Sequence, residues 1–153
     1  MADFELLTND MLSEQDALLV HHAREALVNA YVPYSSFRVG VSLLCGGGKI
    51  LTGTNQENAA YPSGMCAERV ALYSLAAQYP GETIQKMVVV AQRLGLSDLT
   101  PATSCGSCRQ VMLEFEQRQS EPFEVLMLYS DGEWVKAHSA RSLLPFCFNR
   151  SNL

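Results

Sequence analysis

Three cysteines spaced around one apolar run constrain this chain most. Cys66 opens Cys66-Ala67-Glu68-Arg69, and Cys105 opens Cys105-Gly106-Ser107-Cys108-Arg109-Gln110. Between them Met87 to Ala91 is apolar without a break. Such a run fits a strand buried on both faces. Cys66 to Gln78 is rich in alanine and leucine and reads as a helix that Pro80-Gly81 ends, and Cys105 to Arg118 reads as another. A right-handed crossover through the strand brings both helix starts to one edge of the sheet. Helix starts offer free N–H groups and the positive end of the dipole, which favour thiolates. The three sulfurs are therefore expected at one point.

Three thiolates can hold a zinc ion and leave its fourth position open. Glu68, two residues after the first thiolate, would face that position without filling it. Zinc brings the pKa of a bound water to about 7, and a nearby carboxylate can carry the proton away. A lone CxxC has plainer explanations, a redox pair or half of a structural zinc site. A closed structural site would take Cys45 or Cys147 as fourth ligand. A redox role for Cys105 and Cys108 would leave Cys66 and Glu68 unexplained. Three thiolates on Zn²⁺ leave a net negative charge, which opposes acidification of water. Arg69 is expected to donate hydrogen bonds to the sulfurs and withdraw some of that charge. Arg109 also stands beside the ligands; the plain alternative for either arginine is a solvated helix residue.

Elsewhere the pattern reads as follows. Ser13 with Asp16 resembles a capping box, and a helix is expected from about Ser13 to Ala30. Its adjacent His21 and His22 point apart and suit surface or packing roles better than metal binding. Phe37 to Leu44 and Lys49 to Thr54 read as a hairpin across Gly46-Gly47-Gly48, which lacks the Gly-Lys-Ser/Thr and following helix of a phosphate loop. Glu124 to Tyr129 and Trp134 to Ala137 read as further strands. The alternation of strands and helices predicts an α/β chain, a mixed sheet with helices on both faces.

The 153 residues suit one domain, 1–153, without repeats or linker. Lys and Arg total 11 against 16 Asp and Glu, for a formal net charge of −5. That balance argues against polymeric nucleic acid as a substrate. No stretch nears the roughly 18 apolar residues of a membrane span, and Met1 to Asp10 lacks the basic flank and apolar run of a secretory signal. With five cysteines read as reduced thiols, a soluble cytoplasmic protein is expected.

The chain also resembles a known family, the short homotetrameric cytidine deaminases. The likeness is carried by Val32-Pro33-Tyr34-Ser35, Thr52-Gly53-Thr54-Asn55-Gln56-Glu57-Asn58, the two cysteine segments, and Leu143-Leu144-Pro145 before Phe148. The resemblance implies a three-layer α/β/α fold with a mixed five-stranded sheet. It implies zinc on Cys66, Cys105 and Cys108, and Glu68 as proton shuttle. Asn55 and Glu57 match residues that hydrogen-bond the ribose hydroxyls, and Phe37 matches an aromatic packed on the pyrimidine. Ala67 is placed with the substrate-binding residues. Phe148 matches a tail aromatic that reaches a neighbouring subunit's site, so a homotetramer with shared sites is expected. The implied reaction is hydrolytic deamination of cytidine and 2′-deoxycytidine in pyrimidine salvage. Ser104 departs from the family, which usually has proline there, and a looser loop is expected at that point.

Other functions fit parts of this pattern. A deaminase of another aminated pyrimidine, such as a blasticidin-type nucleoside, would share the zinc cluster, but the Asn55-x-Glu57 pair suits a ribose diol. A silent zinc-stabilised binding module would have no use for Glu68. RNA or DNA editing would want a basic, aromatic-rich extension that this sequence does not show.

Overall fold

Six strands form one mixed sheet in the computed structural model, which describes residues 3–153. In chain order the elements are β1 (Phe4–Thr8), α1 (Glu14–Ala26), β2 (Phe37–Cys45), β3 (Ile50–Thr54), α2 (Ala67–Gln78), β4 (Ile84–Arg93), α3 (Gly106–Glu116), β5 (Glu124–Ser130) and β6 (Glu133–Ala137). The strand order is β1-β6-β5-β4-β2-β3. β4 and β5 run parallel and every other neighbouring pair runs antiparallel.

The expected five-stranded sheet thus gains a sixth strand. β1 pairs with β6, Phe4 opposite Ala137 and Leu7 opposite Trp134. Only Leu7 of its five residues is buried, so no alternation of apolar and polar residues marks the strand in sequence. Backbone pairing with β6 defines it instead.

The helices lie on both faces, as the strand pattern predicts. Leu19, Ala23 and Leu27 pack on one face against Leu44, Val88 and Val90. α2 and α3 cover the other, where Leu72, Leu75 and Met112 meet Val41, Met87 and Val89. Val88 and Val90 therefore point one way and Met87 and Val89 the other, which is why β4 reads as an unbroken apolar run. Gly53 lets α2 approach β3 closely: a Cβ there would lie 2.8 Å from the carbonyl oxygen of Ala67. That contact fixes the start of α2 over the end of the β2–β3 hairpin.

α1 begins at the expected capping box. The Ser13 hydroxyl accepts from the Asp16 N–H at 3.1 Å, and the Ser13 N–H donates to Asp16 Oδ2 at 3.3 Å. It ends sooner than expected, at Ala26, and a 3₁₀ turn follows over Leu27–Asn29. His21 lies 3.4 Å from Glu25 on an exposed face, one turn along the helix. Asp16 is fully buried and also meets Lys86 at 2.5 Å and Lys136 at 3.0 Å, tying the start of α1 to β4 and β6. Among the described residues no helix is long and apolar enough to cross a membrane.

Candidate metal centre and active site

Two backbone bridges gather the site. Gln56 bridges Tyr31 on one side and Met65 on the other. The Glu57 N–H donates to the Tyr31 carbonyl at 2.9 Å, and the Gln56 N–H to the Met65 carbonyl at 2.9 Å. The segment after β3 is thus held between the approach to β2 and the approach to α2. Phe37, Asn55, Glu57 and Cys66 are brought to one region although up to 29 positions separate them in sequence.

The sulfur atoms of Cys66, Cys105 and Cys108 lie within 4.8 Å of one another. Cys66 is the N-cap of α2 and Cys105 the N-cap of α3, both with extended backbone and neither sulfur capping its own helix. Cys108 sits one turn into α3 and is buried. Zinc–sulfur bonds of about 2.3 Å in a tetrahedron place sulfurs about 3.8 Å apart, so this cluster needs little movement to close on the ion. Cys45 and Cys147 lie outside the cluster, so the four-cysteine structural site is not formed. Three soft donors with one position left open suit zinc in a reactive rather than a closed setting.

The electrostatics of the cluster favour a metal-binding thiolate. A hydrogen bond from Cys108, then the Arg69 guanidinium, hold the Cys66 thiol down at about 5. The same bond to Cys66, together with burial, pushes Cys108 up. Arg69 Nη2 donates to Cys66 Sγ at 3.4 Å. Arg109 turns away from the sulfurs, donating to the Ser104 carbonyl at 2.9 Å and the Leu143 carbonyl at 3.3 Å.

Glu68, in the first turn of α2, is 4% exposed. Burial pushes its carboxyl up, and hydrogen bonding from its own backbone N–H and from Ser104 only partly offsets that. Ala67, between Cys66 and Glu68, is wholly buried.

A model of the cytidine and deoxycytidylate deaminase zinc-binding region matches residues 13–120. The chain belongs to this deaminase family. The cytidine deaminase of Sporosarcina psychrophila is 36% identical over 135 residues, covering 88% of this chain and 92% of that protein. The crystal structure of cytidine deaminase from Burkholderia pseudomallei superposes with a TM-score of 0.72 at 39% identity, covering 90% of this chain and 100% of that one. That from Mycobacterium tuberculosis superposes at 0.67 with 28% identity, covering 90% and 99%. Zinc is the cofactor of the family region, and the three-sulfur cluster fits it.

The remaining sequence candidates lie at the start of β2, just after β3 and in the tail. Asn55 braces β2, its Oδ1 accepting from the Val39 N–H at 2.8 Å and its Nδ2 donating to the Phe37 carbonyl at 2.9 Å. Glu57 Oε2 accepts from the N–H groups of Tyr34 and Ser35 at 2.9 and 3.3 Å. Hydrogen bonding to Ser35 first, and to Tyr34, holds its carboxyl below the usual range. Phe37 is half-buried, with the Arg93 guanidinium 5.7 Å from its ring centre. Phe148 is exposed, and its carbonyl accepts from Gln110 Nε2 at 2.9 Å. The loop expected to loosen at Ser104 is pinned instead, because that residue is buried and hydrogen-bonded through its N–H, hydroxyl and carbonyl. Nothing in the sequence singled out its partner Met127, since a contact between β5 and the β4–α3 loop leaves no local pattern.

Proposed function

We propose that this chain hydrolytically deaminates cytidine and 2′-deoxycytidine to uridine and 2′-deoxyuridine, releasing ammonia. One observation carries the reading: the buried carboxyl of Glu68 lies two residues from Cys66 of a three-sulfur cluster. A closed structural zinc site has no use for that carboxyl. Relatives at 36–39% identity named cytidine deaminases support the substrate.

Cys66, Cys105 and Cys108 would hold the zinc, which supplies the Lewis acidity that makes water a nucleophile at neutral pH. Glu68 takes a proton from the attacking water and delivers it to ring N3. As oxygen bonds to C4, Glu68 transfers the second proton to the exocyclic amine, which leaves as ammonia. Burial suits the carboxyl to both tasks, because it raises the proton affinity of the group that must accept the proton from water. Arg69 withdraws charge from the Cys66 sulfur.

Around the reacting centre, Phe37 packs on the pyrimidine and the backbone at Ala67 faces it. Asn55 retains one N–H and one lone pair beyond its bonds to β2, and Glu57 retains Oε1. Both suit ribose hydroxyls. Phe148 completes a neighbouring subunit's pocket in a homotetramer. The exposed ends of the tail, Phe146 and Phe148, support that assembly, while Ala140 and Leu143 at its start fold back into the domain. Free thiols throughout agree with a cytoplasmic role in pyrimidine salvage.

The test is the loss of cytidine absorbance on adding protein, with zinc measured on the same sample. Turnover with about one zinc per chain is expected. X-ray absorption showing four sulfurs on the metal and no turnover would sink the reading.

A further inference from the structure

Ser104 immediately precedes the first cysteine of the CxxC pair and is 5% exposed. A buried serine brings two donors, and each needs an acceptor. Both reach the same one, and the hydroxyl also lies beside the Glu68 carboxyl. The N–H lies 3.3 Å and the hydroxyl 3.5 Å from Met127 Sδ, on the inward face of β5. Met127 is itself 1% exposed, out of contact with bulk water. The Ser104 carbonyl accepts from Arg109 Nε at 2.9 Å, and two residues earlier the Ala102 N–H donates to the Leu128 carbonyl at 2.9 Å. The approach to Cys105 is therefore fastened to β5 on one side and to α3 on the other.

A proline before Cys105 would fix this approach by its ring and would carry neither donor. Serine leaves the fixing to its neighbours. Thioether sulfur is a weak acceptor, yet here it lies within reach of two donors, and the Ser104 N–H would otherwise be buried unpaired.

We propose that Met127 is a positioning residue for the metal cluster: by accepting both donors of Ser104 it holds the approach that aims Cys105 and Cys108 at Cys66. It touches neither substrate nor sulfur ligand, and acts through Ser104. The inference rests on the assignment of zinc to these three cysteines.

The consequence is a dependence between two positions. With Ser104 present, Met127→Leu keeps the volume but strands the buried Ser104 N–H and leaves the hydroxyl only the Glu68 carboxyl, so the approach must shift to find a new partner. With Ser104→Pro those donors are gone and the ring stiffens the approach, so the acceptor is no longer needed.

The test measures zinc affinity by competition with a chromophoric chelator on the wild-type chain, Met127→Leu, Ser104→Pro and the double variant. Met127→Leu is expected to bind zinc about tenfold more weakly than the wild type, as loss of a partner behind a metal ligand commonly does. Ser104→Pro and the double variant are expected to agree within about twofold, the departure from additivity that marks a direct coupling. The comparison of those two decides the matter even where Met127→Leu alone does not fold. A Met127→Leu protein that binds zinc as the wild type does, or a double variant clearly weaker than Ser104→Pro, overturns the inference alone. A wild-type chain that binds no zinc overturns the metal assignment and the inference with it.

Discussion

Lys86 Nζ lies 2.5 Å from Asp16 Oδ1, joining residues 70 positions apart at a point where the carboxylate side chain has no exposure. Lys136 takes the other oxygen of Asp16, and Glu124 takes Lys86 at 2.8 Å. Burial alone would raise the Asp16 carboxyl, but Lys86, then Lys136 and Ser13, hold it at about 2. A carboxyl lowered from 3.8 to about 2 contributes roughly 2 kcal/mol at neutral pH. Because its folded value is depressed, that stability is present in full above pH 3.8 and is lost as the pH falls through about 2. Asp16→Asn sets Lys136 against a buried amide, leaves Lys86 to Glu124 alone, and removes the carboxylate of the helix cap. A loss of about 3 kcal/mol is expected in urea unfolding at pH 7. The gap from the wild type should narrow in titrations carried toward pH 2.

Glu68→Gln should keep the fold and about one zinc per chain while lowering kcat by about 10²–10⁴-fold. The amide fills the same buried space but carries no transferable proton. Metal content, thermal unfolding and steady-state kinetics on one preparation check this. A kcat near the wild-type value would mean that another base does the work.

Glu57→Gln should raise KM for cytidine about tenfold, since the amide gives up a charge-assisted hydrogen bond to a ribose hydroxyl. The preference for cytidine over free cytosine should weaken in parallel, because cytosine has no ribose to lose. Kinetics with both substrates separate this from a general defect. Equal losses on both would assign Glu57 to bracing Tyr34 and Ser35 alone.

Phe148→Ala should weaken cytidine binding without changing zinc content, and activity of the unmodified chain should fall on dilution as subunits separate. Light scattering should give about four times the 16.8 kDa of one chain. Full activity at a mass of one chain would end the shared-site proposal and leave the zinc chemistry untouched.

Much of the site was legible in sequence because its chemistry is local. Cys66 and Glu68 lie within one turn of helix, Cys105 and Cys108 within another, and helix starts favour thiolates wherever they occur. The apolar run in β4 fixed what must lie between them. Arg69 was legible too, one turn from the Cys66 sulfur that it reaches. β1 was not, because four of its five residues stay accessible and backbone pairing to β6 leaves no side-chain pattern. Asp16 was legible as a helix cap, yet its two lysines come from strands far along the chain. Arg109 stands beside the ligands in sequence but reaches Ser104 and Leu143, a choice made by where the loop and tail happen to pack. The consequence of serine at 104 was likewise open until β5 supplied Met127. Sequence by itself determined which groups could bind metal and move protons, because those depend on residue type and spacing along one helix. The tertiary structure alone decided which buried donors found acceptors, because that depends on contacts between strands and loops that no local pattern records.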